Sequence, residues 1–239
     1  MRRLTGFYLL AAFAAALPFV FPDNYFITLV GTTAALHVIL AVSLNLLIGY
    51  AGLISLGHAA FFGIGAYSSA ILTAHHQINP WLAMLAGVLL SAVIAYAMAR
   101  PVLRLKGHYL AMATLGFGII VNIILVQTGN LTGGPDGMSV DELSLFGVAI
   151  DSDLGWYTVL AAAALLVVWL SLNIVDSRSG RALRALHGSE VGAEMMGIDT
   201  TATKTGVFVL SALIAAFACC CSMSPPWASP PCWWRRSSG

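Results

Sequence analysis

Seven long apolar runs constrain the fold of this chain more than any other feature. Each run has the length, about 17–25 residues, at which a helix crosses the hydrocarbon core of a bilayer. The runs cover residues 4–21, 25–48, 53–74, 81–103, 109–127, 154–175 and 205–221. The chain is 59% hydrophobic and only 9% charged, whereas soluble domains carry about 25% charged residues. The sequence therefore predicts an all-α, polytopic transmembrane helix bundle with about seven spans.

The first run has an alternative reading as a cleaved signal peptide, because it follows Arg2 and Arg3 and contains three consecutive alanines. The apolar region of a signal peptide covers about 7–15 residues. This run is longer, and a second run follows it almost at once. We therefore expect a retained first span.

The basic residues predict the orientation of the spans. If the N-terminus is cytoplasmic, nine of the eleven lysines and arginines face the cytoplasm, as the positive-inside rule requires. These nine are Arg2, Arg3, Arg100, Arg104, Lys106, Arg178, Arg181, Arg184 and Lys204. Acidic residues gather on the opposite side, mainly in the loop after the fifth run, and only Arg235 and Arg236 break the rule. We expect a cytoplasmic N-terminus.

Polar residues and glycines lie where the second and third runs meet. They are Asn45, Gly49, Ser55 and His58. Because unpaired polar groups are costly inside a bilayer, such side chains either pair with neighbouring helices or line a path for a polar solute. The sequence leaves both readings open.

The fifth run is interrupted by small and polar residues. They are Thr114, Gly116, Gly118 and Asn122. A mid-helix glycine costs up to about 1 kcal/mol, and transporters use interrupted helices to offer backbone groups to a substrate. Close helix packing is the alternative. The loop that follows, on the predicted outer face, carries the turn-forming glycines Gly133, Gly134 and Gly137.

Several classes of function lack their sequence signals. No Gly-x-x-x-x-Gly-Lys-Ser/Thr motif occurs, so the chain has no phosphate-binding loop of that type. The seven runs contain no Asp or Glu, which argues against a proton-coupled carrier. The histidines show no metal-ligand spacing on a shared helix face. The sequence therefore predicts no enzyme and no metal site, and the net charge of +1 gives no indication of a nucleic-acid partner.

The charged loop between the sixth and seventh runs, residues 177–204, predicts a docking surface. Gly188 divides it into two short helices. In the second helix, Ser189 suits the N-cap position, and Glu190 suits the first turn, where the helix dipole is positive. Gly197 suits the position just after the C-terminus of that helix. An apolar stripe of Val191, Met195 and Ile198 follows helical spacing. Such a helix fits a groove on a partner; the alternative, a helix resting on anionic lipid, is disfavoured by the acidic residues around the stripe.

Four sequence blocks carry a resemblance to a known family. They are LNLLIGYAGLISLGHAAFFGIGAY, PVLRLKGHYLAMATLGFG, LTGGPDGM and GRALRALHGSEVGAEMMGIDTTATKTGVFVLSALIAAFA. In content, order and spacing the chain resembles the LivM-type permease subunits of branched-chain amino-acid ABC importers up to Ala218. These subunits lie in the bacterial inner membrane.

The resemblance implies a function and a set of partners. Residues 180–198 would form the coupling loop that engages cytosolic nucleotide-binding ATPase subunits, which hydrolyse ATP with magnesium while this chain holds no cofactor. The coupling residues would be Gly180, Arg181, Ala182, Arg184, Ala185, Ser189, Glu190, Ala193 and Gly197. A second, LivH-type permease subunit and a periplasmic amino-acid-binding protein would complete an importer of leucine-like substrates. The alternative is a stand-alone secondary carrier or facilitator for small polar solutes.

The last 21 residues do not fit this pattern. All four cysteines, four of the nine prolines and three of the six tryptophans fall there. Tandem CTG codons for Leu become TGC codons for Cys when they are read one base off. We therefore expect an incomplete permease domain over residues 1–218 and an out-of-frame tail over residues 219–239. A metal site is the disfavoured alternative, because three consecutive cysteines cannot all point at one ion.

Overall fold

The computed structural model describes residues 30–76, 79–103, 105, 107–132, 144–145, 148–149 and 153–222, together with residues 6–8, 10–12, 14 and 16. Helices account for nearly all of this part of the chain. They are α1 (Thr32–Asn45), α2 (His58–His76), α3 (Pro80–Val102), α4 (His108–Gln127), α5 (Gly129–Thr132), α6 (Asp153–Asp176), α7 (Arg178–Gly188), α8 (Glu190–Met195) and α9 (Thr200–Ser222). A π-helical turn, Leu46–Tyr50, continues α1. Two antiparallel two-residue strands, β1 (Ser144–Leu145) and β2 (Val148–Ala149), lie between α5 and α6.

Five of the described helical stretches are long and apolar enough to cross a membrane. They are Thr32–Tyr50, Trp81–Val102, His108–Gln127, Tyr157–Asp176 and Thr200–Cys219. These stretches correspond to the predicted second, fourth, fifth, sixth and seventh spans. The first predicted span lies largely outside the described residues, and α2, in the place of the third, does not reach the same apolar threshold. The predicted helical membrane bundle is confirmed, whereas the count of seven spans and the cytoplasmic N-terminus stay predictions.

Two helices begin at different places from those expected. The third apolar run begins at residue 53, but α2 begins only at His58, and residues 51–57 have no regular secondary structure. The seventh run begins at residue 205, but α9 begins at Thr200. The Asp199 carboxylate accepts a hydrogen bond from the Ala202 amide at 3.0 Å. A polar N-cap therefore extends this helix beyond its apolar stretch.

The centre of the bundle is α9, which packs against α1, α2 and α3. Small residues allow this packing: a Cβ built on Gly65 of α2 would lie 2.8 Å from Cα of Ala216. Larger rings fill the adjacent core, where Phe61 contacts Phe117 and Phe208 with ring centroids 5.5 and 5.6 Å apart. Close approach through small residues is how helices associate where lipid removes the hydrophobic driving force.

Helix α4 is the most exposed of the spanning helices. It packs against α2 and α3, with Leu110 and Thr114 buried. Large apolar side chains such as Met112, Ile120 and Ile124 are exposed along its outer face. Lipid or another protein chain must cover that face in a membrane.

Candidate functional site

The corner between α6 and α7 is built by the first part of the predicted coupling loop. A Cβ on Gly180 would overlap the carbonyl of Val175, so the corner requires glycine. Arg184 donates hydrogen bonds to the carbonyls of Val175 and Gly180, at 3.2 and 3.3 Å. Arg181 donates to the carbonyl of Asp176 at 3.4 Å. Both arginines therefore satisfy carbonyl groups at or near the C-terminus of α6, where positive charge is favourable.

Helix α7 is anchored in the bundle by its apolar side. Leu183 and Leu186 are buried, and Leu183 belongs to the same core cluster as Leu47 and Leu53. Ala182 and Ala185 are half-buried beside them. The helix therefore lies directly against the π-helical turn and the residues that follow it.

Helix α8 forms as its caps predict. Ser189 Oγ accepts a hydrogen bond from the Gly192 amide at 3.1 Å, and Glu190 lies in the first turn. Gly197 has a φ of +77°, a left-handed conformation that glycine adopts without a Cβ penalty. Ala193 is buried on the inner side of the helix. The predicted helix boundaries are confirmed.

Two polar contacts join α8 to the first turns of α9. Lys204 Nζ lies 2.5 Å from Glu190 Oε1, and Thr200 Oγ1 donates to Glu194 Oε1 at 3.0 Å. The outer face of α8 is free of such contacts and apolar: Val191 and Met195 are 63% and 85% exposed. Met196, which sequence spacing did not place in the stripe, is 84% exposed. An apolar surface between acidic residues thus faces away from the bundle.

Residues 51–57, which we call the irregular segment, connect the π-helical turn to α2, and buried and exposed residues alternate along them. Gly52 has a φ of +69°. Further along, the Leu56 amide donates to Thr114 Oγ1 of α4 at 3.0 Å, and a Cβ on Gly57 would overlap the Thr114 carbonyl. Thr114 is itself buried. The polar backbone of the irregular segment is therefore satisfied in part by α4.

Ser43 and His58 form a hydrogen-bonded pair beside the end of the irregular segment that leads into α2. Ser43 Oγ donates to the carbonyl of Ser211 at 2.9 Å and lies 2.6 Å from His58 Nε2. Because the single hydroxyl proton goes to the carbonyl, His58 Nε2 must donate to Ser43 Oγ. Sequence reasoning missed Ser43. Its signal was a serine in an apolar run, two residues before Asn45.

Ser55 is the unsatisfied group of this region. It is only 3% exposed, and its Oγ has no hydrogen-bond partner among the described residues. A buried hydroxyl without a partner costs roughly 1–3 kcal/mol. Strain, an ordered water or a bound ligand accounts for such groups in native proteins.

The predicted path residues fall into two groups. Ser55, His58 and Thr114 lie along or beside the irregular segment, and a Cβ on Gly118 would lie 3.7 Å from Cα of Gly57. The others do not join this cluster. Asn45 and Gly49 are exposed next to each other on the second span, Asn122 is exposed on α4, and Gly116 meets no described atom within 4 Å of a built Cβ. Gly133, Gly134 and Gly137 lie outside the described residues.

Three loops meet at one end of the bundle around a cavity of about 250 Å³. Its lining comes from the irregular segment, from the connection between α3 and α4, and from the coupling loop with the start of α9. It comprises Ala51, Gly52, Leu53, Ile54, Leu105, Gly107, Leu110, Leu186, His187, Glu190 and Lys204. The pattern of basic residues predicted that these three loops share one side of the membrane, and the structure brings them together.

Taken together, these features define a polytopic α-helical membrane protein. An irregular connection, residues 51–57, leads into α2, and a capped helix pair lies at the same end of the bundle.

The family of the chain follows from comparison with known proteins. A family model described as "Branched-chain amino acid transport system / permease component" matches residues 26–231. The chain belongs to this family, as the four sequence blocks implied. No solved structure matches the chain.

Relatives fall into two types of permease. The "High-affinity branched-chain amino acid transport system permease protein LivM" of Salmonella typhimurium is 35% identical over 213 residues, covering 79% of this chain and 50% of the relative. The protein of the same name from Escherichia coli is 34% identical, with the same coverage. The LivH protein of Salmonella typhimurium is 25% identical over 78% of this chain and 66% of its own length. The chain thus spans about half the length of the LivM relatives it matches.

Proposed function

We propose that this chain is a permease subunit of an ATP-binding-cassette importer. It forms part of the translocation path for branched-chain, leucine-like amino acids across the bacterial inner membrane, powered by a separate cytosolic ATPase. The observation that carries this proposal is α8, a capped helix with an exposed apolar face, which lies beside the irregular segment at one end of the bundle. The family and the printed names of the LivM relatives support the choice of substrate class.

The proposed partners follow from the two faces of the molecule. ATPase subunits, which hold and hydrolyse ATP with magnesium, bind the apolar face of α8. A second, LivH-type permease subunit completes the path, and a periplasmic amino-acid-binding protein delivers the substrate on the opposite side. The N-terminus is cytoplasmic in this arrangement, because the coupling loop must face the ATPase.

The proposed path passes the irregular segment. Ser55 Oγ offers an unused donor and acceptor, and the Thr114 hydroxyl lies within reach of the same backbone. Non-helical backbone that lines a cavity in a membrane protein can offer its polar groups to a substrate in this way. His58 and Gly118 lie beside the same segment and remain proposed path residues. Asn45, Gly49, Gly116 and Asn122 also remain proposed path residues, which act where a second subunit faces them.

Uptake of radiolabelled L-leucine tests the proposal. The chain is co-produced with LivH-type and ATPase subunits and a binding protein, and uptake is measured with and without ATP in reconstituted vesicles. ATP-dependent uptake that is lost when the chain is omitted is the expected result. Uptake that continues without any ATPase subunit would instead establish a stand-alone carrier, and no uptake under either condition would contradict both.

The out-of-frame tail remains a separate proposal. Helix α9 continues through Ser222, and residues 223–239 lie outside the described part of the chain. Resequencing the gene from the codon for Ala215 tests it. A shifted frame that encodes further apolar spans is expected, and a confirmed frame without such a continuation would contradict it.

A further inference from the structure

His187, the penultimate residue of α7, lies directly against the irregular segment. A Cβ built on Gly52 would be 2.7 Å from His187 Nδ1 and 3.4 Å from Cε1. No side chain fits at position 52 unless the imidazole moves. The positive φ of Gly52, +69°, requires glycine for a second reason. The coupling loop and the irregular segment are therefore in direct contact at Gly52.

The irregular segment is also held at the end that leads into α2. The Leu56 amide is bound to Thr114 Oγ1, and Gly57 lies against the Thr114 carbonyl. At its other end the segment is held to the π-helical turn, because the amides of Gly52 and Leu53 donate to the carbonyls of Ile48 and Leu47 at 3.2 and 3.1 Å. Ser55, whose buried hydroxyl has no partner among the described residues, lies three residues beyond Gly52.

His187 also lies next to the joint of the coupling loop. Helix α7 ends one residue later at Gly188, and Ser189 is extended, with φ −161° and ψ 119°. Helix α7 is embedded through Leu183 and Leu186, whereas α8 presents its apolar face outward. A partner that pushes on α8 therefore bends the loop beside His187.

We propose that His187 is a positioning residue that passes movement of the coupling loop to the irregular segment through its contact with Gly52. The contact sets whether Ser55 is closed off in the bundle or open to the translocation path. This inference rests on the proposed function, since it assigns a route for the coupling between the ATPase and that path.

The test compares variants of the complete importer, assembled with its ATPase subunits and binding protein. His187→Ala removes the ring, and Gly52→Ala adds the Cβ that the ring cannot accommodate. Gly206→Ala is the matched control, because Gly206 of α9 meets nothing within 4 Å of a built Cβ and has no positive φ. The readouts are recovery of the ATPase subunits, ATP hydrolysis, and L-leucine imported per ATP hydrolysed.

Both His187→Ala and Gly52→Ala are expected to retain the ATPase subunits and to hydrolyse ATP, while leucine imported per ATP falls roughly tenfold, a typical size for coupling between sites. His187→Gln, which retains a side chain of similar reach, is expected to restore part of the ratio. A wild-type ratio in His187→Ala would overturn the proposal. So would loss of the ATPase subunits from that variant, because the contact would then shape the docking surface.

A second measurement does not depend on leucine import and covers the case in which Gly52→Ala fails to fold. Ile54, in the irregular segment and 42% exposed, is replaced by Cys. The alkylation rate of this cysteine is measured with and without ATP, and the complex without the Ile54→Cys change gives the background rate. The proposal expects an ATP-dependent rate that disappears in the His187→Ala background. An ATP-dependent rate that persists there would overturn it. If the wild-type complex imports no leucine, the proposed function fails, and this labelling still decides the role of His187.

Discussion

Lys204 Nζ lies 2.5 Å from Glu190 Oε1 and joins the first turn of α8 to the first turns of α9. Helix α9 in turn packs against α1, α2 and α3. The side chains of Lys204 and Glu190 are 11% and 32% exposed, so water screens the pair only in part. The ion pair fixes the direction in which the apolar face of α8 points.

Breaking this ion pair should weaken docking of the ATPase subunits without unfolding the bundle. We expect Glu190→Lys to reduce the amount of ATPase that co-purifies, because like charges separate α8 from α9. The double variant Glu190→Lys with Lys204→Glu should recover much of the loss, since it reinstates an attractive pair. Undiminished co-purification with Glu190→Lys would refute this role. Recovery of ATPase on the purified complex measures the effect.

Gly197 ends α8 in a left-handed conformation, and a bulky residue there should disturb the same surface. We expect Gly197→Val to cost about 1–2 kcal/mol locally, the penalty of a left-handed conformation for a residue with a Cβ. A Cβ at Gly197 meets no atom within 4 Å, so conformation and not crowding causes the loss.

The measurement separates local from global damage. Co-purification of ATPase should fall in Gly197→Val while the thermal unfolding midpoint of the bundle changes little. Gly206→Ala provides the control, because Gly206 has open space without a positive φ. A large fall in the unfolding midpoint would show that Gly197 serves the fold as a whole.

Local sequence signals predicted the coupling loop well, because its structure depends on contacts within a few residues. Ser189 and Gly197 occupy the cap positions that their chemistry favours. The apolar runs likewise predicted the helical bundle, since a bilayer leaves the backbone few alternatives.

The structural features that the sequence did not predict depend on contacts between residues far apart in the chain. The run over residues 53–74 gives no sign that its first five residues are irregular, because Thr114 Oγ1 replaces a helical partner for Leu56 from 58 residues away. The Ser43–His58 bond joins two separate helices, and the contact of His187 with Gly52 crosses an even longer stretch of chain. Periodicity within one helix carries no information about such pairs.

Ser55 distinguishes a packing role from a role in the path. The hydroxyl is buried and has no partner among the described residues, so Ser55→Ala removes an unsatisfied group. We expect the thermal unfolding midpoint to stay the same or to rise, by an amount that corresponds to roughly 1 kcal/mol. Leucine uptake by the complete importer should nevertheless fall, because the hydroxyl serves the substrate. A variant with unchanged uptake would mean that Ser55 has no part in the path.

Ser43 should behave in the opposite way, as a residue that stabilises the bundle. Ser43→Ala leaves His58 Nε2 without its partner and removes the second hydrogen bond to the Ser211 carbonyl, which its own helix still satisfies. The loss of a buried partner costs roughly 1–3 kcal/mol. We therefore expect a clearly lower unfolding midpoint in detergent. Ser91→Ala is the matched control: Ser91 is equally buried, but its hydroxyl bonds only to the carbonyl of Val88 in its own helix, at 3.1 Å. An equal fall of the unfolding midpoint in the two variants would show that the link between α1, α2 and α9 through Ser43 adds nothing to stability. A greater fall in Ser43→Ala would establish that this link stabilises the bundle.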